Sequence, residues 1–383
     1  MVAYTFYETD GRVRRYAETL AKRGDHVDAI ALRREGQASY EIIRGVNVYR
    51  IQERILNEKG KLSYLYRLMK FLIKSSLFLT KKNLKNSYDI IHIHSVPDFE
   101  VFAALVPKLT GSKIILDIHD IVPEFYVSKF NVSKNSLVYK MLILTEKVST
   151  YFADHVIIAN HIWEKTLTGR SVKKEKCTAI LNYPDTSVFQ RRLRTKQDDK
   201  FVMLYPGTLN WHQGIDIAIK AFALVKDKVP EAEFRIYGEG PNENSLKHLV
   251  SQLNLERRIF FKGVLPIEKI AHVMANADLG LVPKRADTFG NEAYSTKILE
   301  FMSLGVPVLV SNTKIDKYYF DNSVVKFFNS GDEADLAESI LAIIKDKKSR
   351  NRLTDNALKY AEVNSWSVKK QVYLDLIDSL AAQ

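Results

Sequence analysis

Short runs of Val, Ile, Leu and Phe recur along this chain, separated by longer stretches in which apolar residues return every three or four positions. The runs predict strands at residues 2–7, 26–32, 90–94, 113–118 and 155–159, then at 201–206, 233–237, 259–262, 279–282, 307–310 and 324–328. The intervening stretches predict helices, such as 13–23 closed by Gly24 and 215–229 closed by Pro230. Continuous apolar strands alternating with helices mean βαβ units and buried parallel sheets.

The alternation pauses once. Residues 182–200, NYPDTSVFQRRLRTKQDDK, are polar and aperiodic and read as a linker, after which FVMLYPG opens a new strand. The pattern therefore predicts an α/β chain of two doubly wound, Rossmann-like domains, 1–190 and 191–365, facing each other across an interdomain cleft. Ligands of such sheets sit beyond the carboxyl ends of the strands.

Length agrees, because 383 residues exceed one ordinary core. No apolar run is long enough for a membrane span. Met1 leads straight into Val-Ala-Tyr-Thr-Phe, so no secretory leader is expected, and the short first strand suggests a native start a few residues earlier. A single cysteine, Cys177, rules out an internal disulfide and suits a reducing, cytoplasmic setting.

A formal net charge of +12 favours anionic partners. Residues 54–85 hold nine Lys or Arg against the single acid Glu58. Within 65–85, at 100° per residue, Arg67, Lys70, Lys74, Lys81 and Lys85 share one arc, with Leu65, Leu68, Leu72 and Leu79 opposite. Such a helix either lies on an anionic membrane surface or is a domain helix with its lysines in water. No aromatic platform or recognition module points to nucleic acid.

Candidate chemistry concentrates in NEAYSTKILEFMSLGVPVLVS, residues 291–311. Ser295 or Thr296 can cap a helix to about Leu304, ended by Gly305, with Ile298, Leu299, Met302 and Ser303 inward and Glu300 on another face. Glu292 falls in the preceding loop. A helix N-terminus receives phosphate through its free N–H groups, and Lys297 in the first turn suits an anion there. Spacing alone leaves two readings. Glu292 and Glu300 accept hydrogen bonds from sugar hydroxyls on either side of a diphosphate, or Glu300 pairs with Lys297 and Glu292 is solvated.

Residues 201–312 resemble the donor domain of retaining glycosyltransferases of family 4, which have the GT-B fold. LYPGTLNWHQGIDIAIKAF, FRIYGEGP, IFFKGVLP, ADLGLVP and the 291–311 stretch stand in the family's order, and Glu292 and Glu300 match its two glutamates separated by seven residues. The resemblance implies that Glu300 binds the ribose and that Glu292 is a catalytic-site residue beside the donor sugar. It implies that N–H groups of Ala293, Tyr294 and Ser295 hold phosphate or sugar oxygens, and that Gly207 and Thr208 line the diphosphate. The family often carries an arginine and a lysine in its first donor loop. Here Thr208 or Leu209, and Gln213, stand there, so Lys297, Lys284 or Arg285 is expected to supply the charge, with His212 assisting if protonated.

The first half is expected to serve the acceptor. KIILDIHDIVPEFY brings Asp117, His119, Asp120 and Glu124 to a strand end. The family places a catalytic histidine beside the anomeric carbon, which maps to His119, with Asp120 near it. The other reading is a histidine satisfied by Asp117 or Asp120. At least one of His92 and His94 is expected to pack, and no metal set converges in sequence. YETDGRVRRYAETLAKRG resembles the family's first loop and helix, placing Gly11 and Arg12 toward phosphate or acceptor, or leaving Arg12 and Arg15 as solvated charges. The helix 366–383, containing Trp366, resembles the family's last helix, which packs back on the first domain.

The combined expectation is a retaining, metal-independent transferase with no cofactor beyond its donor, a nucleotide-diphosphate sugar. Its acceptor is a glycan or lipid-linked hydroxyl in cell-surface polysaccharide or glycoconjugate synthesis. Two rivals share the fold: a non-hydrolysing nucleotide-sugar epimerase and a catalytically silent nucleotide-sugar-binding scaffold.

Overall fold

The computed structural model describes residues 1–54, 61–130, 132–192, 195 and 199–382. Lys59 of the basic segment and residues 193–194 and 196–198 of the expected linker lie outside the described residues. The chain forms two units, Met1–Asn182 with Lys370–Gln383, and Tyr183–Lys369.

Among the described residues, the first unit holds eight strands: β1 Val2–Ala3, β2 Asp28–Arg33, β3 Tyr40–Ile43, β4 Val46–Glu53, β5 Ile90–His94, β6 Lys113–Ile118, β7 His155–Ile158 and β8 Cys177–Ala179. Their order is β3-β4-β2-β1-β5-β6-β7-β8, parallel except for β3 against β4. β5, β6 and β7 are buried over nearly their whole length, which is why they read as unbroken apolar runs. The β3–β4 hairpin was not foreseen. Its turn, Arg44-Gly45, has φ of 50° and 85°, the left-handed pair that matches strand twist. With Arg at the first position the usual Asn-Gly or Asp-Gly signal is missing, and β3 lies mostly exposed on the edge.

β1 stops at Ala3, not residue 7, because the chain turns into a short 3-10 segment, Tyr7–Thr9. α1, Gly11–Arg23, follows. The Asp10 carboxylate accepts from the Arg12 and Val13 N–H groups, and Gly24 closes the helix at φ 104°. α2 (Lys61–Asn83), α3 (Leu105–Leu109), α4 (Val122–Phe130), α5 (Leu137–Phe152) and α6 (His161–Thr168) complete the unit. α2, α3 and α5 all pack on the 3-10 helix Asp98–Ala104.

The second unit is a six-stranded parallel sheet of β9 Phe201–Pro206, β10 Ala232–Tyr237, β11 Ile259–Phe261, β12 Leu279–Val282, β13 Val308–Ser311 and β14 Lys326–Phe328. The order β11-β10-β9-β12-β13-β14 is the doubly wound 3-2-1-4-5-6 arrangement, whose switch point lies between β9 and β12. Met203, Tyr205, Phe234, Leu281 and Leu309 fill its core with Phe222 of α7, Ile215–Val225. α8 (Glu243–Gln252), α9 (Ile267–Ala275), α10 (Thr296–Ser303), α11 (Lys314–Tyr319), α12 (Glu333–Lys345) and α13 (Lys347–Val363) follow, and α14, Trp366–Ala381, runs from this unit into the closing residues of the first.

Candidate functional site

At the switch point of the second unit two glycine loops meet. Gly207, after β9, has φ 147°, and a Cβ there would lie 2.3 Å from Lys297 Cε. Gly238, after β10, has φ 141°, and its Cβ would lie 1.8 Å from the Gly207 carbonyl oxygen. The loops lie backbone to backbone, with the Gly207 N–H donating to Tyr237 O at 2.8 Å and the Leu209 N–H to Glu239 O at 2.9 Å. A side chain at Gly238 would push the loops apart, and one at Gly207 would displace the end of Lys297.

Lys297 reaches this loop from α10. Its Nζ is 3.5 Å from Gln213 Oε1 and 5.5 Å from the centre of the Tyr205 ring. Burial lowers its pKa, and Lys284 adds to the effect, while Glu300 opposes it. The start of α10 carries no acid, and the Ser295 hydroxyl at its N-cap makes no capping bond and is buried without a partner. A helix N-terminus, a poorly neutralised ammonium and an unsatisfied hydroxyl together fit an anion.

Thr296 and Lys297, at the start of α10, edge a cavity of about 500 Å³, with Ser295 just behind them in sequence. Gly207, Thr208, Lys297 and Glu300 line one part, and Val264, Leu265, Ile267, Ile270 and Met274 supply an apolar wall. Its size and its few polar groups among apolar ones suit a ligand pocket. The wall was missed in the sequence. Its signal was Val264-Leu265 between Gly263 and Pro266, apolar residues in a loop, with Val264 left exposed.

Several expected donor residues are already engaged. Lys284 is buried, 3.0 Å from Asp316 Oδ2 and donating to Ala293 O at 2.7 Å, so it fixes the loop before α10. Arg285 grips both oxygens of Asp216, at 2.9 and 2.7 Å. His212 has a pKa lowered by burial, which outweighs Asp287, so it adds no positive charge near neutrality. The Ala293 N–H donates to Phe289 O at 2.8 Å and is not available to a ligand oxygen. The Tyr294 ring packs edge-on against Tyr319. Glu292 is half-buried in the same turn, its N–H on Phe289 O at 3.0 Å, and is not among the lining residues of the cavity.

In the first unit the expected strand-end cluster is an ion-pair network. Asp117, fully buried, takes Arg12 bidentately at 2.7 Å on each oxygen. Arg12 also donates to Ile180 O and Asn182 Oδ1, so it is neither a solvated helix charge nor a free phosphate ligand. Burial would raise the Asp117 pKa, but Arg12 and His119 outweigh it and hold the carboxylate well below its ordinary range. His94 Nδ1 and His119 Nε2 lie 3.1 and 3.2 Å from the same Asp117 oxygen. His94 Nδ1 and His119 Nε2 also lie 3.2 Å from each other, and since an ionised carboxylate only accepts, a ring nitrogen bonded to Asp117 presents its N–H to it.

Asp120, beside His119, has its pKa raised by burial against the pull of that ring. Glu124 is tied to Arg170. Gly11 opens α1, where Asp10 already takes the N–H groups of Arg12 and Val13. His92 Nδ1 is 3.0 Å from the Tyr373 hydroxyl. Potential ligand atoms of His92, His94 and Asp117 lie within 4.8 Å of one another, a convergence not foreseen in the sequence. The Arg12 guanidinium already occupies the Asp117 oxygens, and a second cation there would be repelled.

Comparisons with known proteins divide at the same region. Residues 12–188 match the profile of Glycosyltransferase Family 4, and residues 188–360 that of Glycosyl transferases group 1. The alpha-galactosylglucosyldiacylglycerol synthase of Streptococcus pneumoniae is 22% identical over 88% of this chain and 90% of its own. Sucrose-phosphate synthase of Thermosynechococcus elongatus superposes with a TM-score of 0.79 at 19% identity, covering 99% of each chain. HepE of Anabaena, in complex with UDP-glucose, gives 0.70 at 16% identity over 98% of each.

Proposed function

Because the chain belongs to the family 4 glycosyltransferases of GT-B type, we propose that it moves a sugar from a nucleotide-diphosphate sugar to an acceptor hydroxyl with retention of configuration and without a metal. The observation that carries this reading is Lys297, seated on Gly207 at the start of α10 and opening on the cavity that Glu300 shares. The diphosphate lies against Lys297, Ser295 and the Gly207–Thr208 backbone. Glu300, one turn on, accepts from the ribose hydroxyls, and the base rests on the apolar wall of Val264, Leu265 and Ile267.

Glu292 serves the transferred sugar and not the nucleotide, consistent with its place outside the cavity. His119 hydrogen-bonds a hydroxyl of the donor sugar or helps to stabilise developing charge, and Asp120 completes the acceptor side. Leaving-group charge is stabilised by the ammonium and the helix dipole, so the protein's part is chiefly positioning and electrostatics. The acceptor is a glycan or lipid-linked hydroxyl in cell-surface glycoconjugate synthesis, met at the cytoplasmic side of an anionic membrane by residues 65–85. No cofactor beyond the donor is proposed.

Calorimetric titration with UDP and GDP, followed by turnover with a panel of nucleotide sugars and NMR of the product anomer, tests this. Binding that Glu300→Ala weakens by roughly tenfold or more, with a retained anomer in chelator-treated enzyme, is the expected result. Tight binding with no turnover across the panel would leave a scaffold, and isomerised donor without acceptor would leave an epimerase.

A further inference from the structure

The basic arc of α2 was one half of a larger surface. α2 buries Leu68, Phe71, Ser75 and Leu79 against its unit, and leaves Tyr66, Met69, Ile73 and Leu77 exposed, the last at 67%. At 100° per residue these four fall beside the arc of Lys70, Lys74 and Lys81, which are exposed as well. On α5, Leu137, Met141, Leu144, Val148 and Tyr151 are exposed at spacings of four, three, four and three, one stripe along the whole helix. Leu105 and Leu109 of α3 are exposed too.

All three helices pack on Asp98–Ala104 and so share one face of the sheet. Single exposed apolar residues need no explanation, but aligned stripes mark an interaction surface. The charge on these helices has one sign. α2 and α3 contain no carboxylate, and the only one on α5, Glu146, is buried in its pair with Arg170. Lys140 and Lys147 flank the α5 stripe in solvent.

We propose that α2, α3 and α5 together form a docking surface for an anionic lipid bilayer, with the apolar stripes entering the headgroup boundary and the lysines on lipid phosphates. A bilayer of anionic lipids offers negative charge and hydrocarbon side by side, which is what these stripes complement. A second copy of the chain would set lysines against lysines across a two-fold interface. The proposal extends the membrane role of residues 65–85 to α3 and α5, and vesicle binding tests it without turnover.

The full chain is sedimented with phosphatidylcholine vesicles, with and without phosphatidylglycerol. Binding is expected only with phosphatidylglycerol and to weaken with salt. At roughly fivefold per basic residue, the triple change Lys70→Glu, Lys74→Glu, Lys81→Glu should cost at least about 100-fold. Met141→Glu with Leu144→Glu, on α5, should cost at least about tenfold. Thermal melts and circular dichroism spectra matching wild type show that each variant is folded, the first unit included, since UDP affinity reports on the second unit alone. An α5 variant that binds like wild type, or equal binding to neutral vesicles, overturns the proposal. So does gel filtration showing that the α5 variant turns a dimer into a monomer while vesicles go unbound, because a second copy then covers the face. Loss of the transferase reading would appear separately, as absent nucleotide binding in the unmodified chain.

Discussion

At the scale of single residues, the site depends on which cations are already paired. Lys284, Arg285 and Lys297 look equivalent in sequence, and only the fold separates them. Asp316 takes Lys284 and Asp216 takes Arg285, across 32 and 69 positions of chain. No local pattern displays such partners. Lys297 was legible because a lysine in the first turn of a helix runs against the dipole. Lys297→Ala should weaken UDP binding by roughly 10- to 100-fold, the worth of one charge-assisted contact, and leave uridine binding nearly unchanged. Titration calorimetry with both ligands checks this; equal losses would remove the diphosphate from Lys297. Because burial depresses this lysine from its ordinary 10.5, UDP affinity should already fall as pH approaches that value, since the neutral amine no longer holds the anion. Gly207→Ala should weaken UDP binding by roughly tenfold or more, because its Cβ displaces the Lys297 ammonium and a φ of 147° strains any residue but glycine.

At the scale of elements, buried parallel strands were legible and irregular ones were not. β5, β6, β9 and β12 match their apolar runs residue for residue, since both faces of each are covered. β3 is an exposed edge strand with a disguised turn, and α2 seats a narrower arc than its leucines suggest, leaving Leu65 exposed and Leu72 half-buried. β5 also carries a stability consequence. His92 and His94, two apart, point to one side, and burial lowers the pKa of both, His92 further through His94 and His94 despite Asp117. Below the ordinary histidine value of 6.5 the unfolded chain binds protons that the folded rings refuse, so stability is lost as pH falls through that range. Each such histidine contributes a slope of about 1.4 kcal/mol per pH unit. Thermal melts of His92→Phe between pH 7 and 5 should show a shallower fall than wild type; an unchanged slope would place the proton uptake elsewhere.

At the scale of the whole molecule, every group assigned to the nucleotide belongs to Tyr183–Lys369, and the Asp117 network belongs wholly to the other unit. Binding and turnover should therefore separate. His119→Ala should leave UDP affinity within about twofold yet lower turnover by roughly 100-fold, the usual scale for a positioned acid–base or hydrogen-bonding group. Glu300→Ala should show its loss in UDP affinity first. The same division extends to unfolding, where two cores of this kind need not melt as one transition. A ligand that binds only the folded donor unit stabilises it by about 2.7 kcal/mol at a hundredfold excess over Kd. Calorimetric scans with saturating UDP should therefore raise the transition of the second unit and leave the acid-sensitive transition that His92→Phe identifies in place. If both move together by the same amount, the two units unfold as a single body, and the nucleotide is coupled to the histidine network through the whole chain.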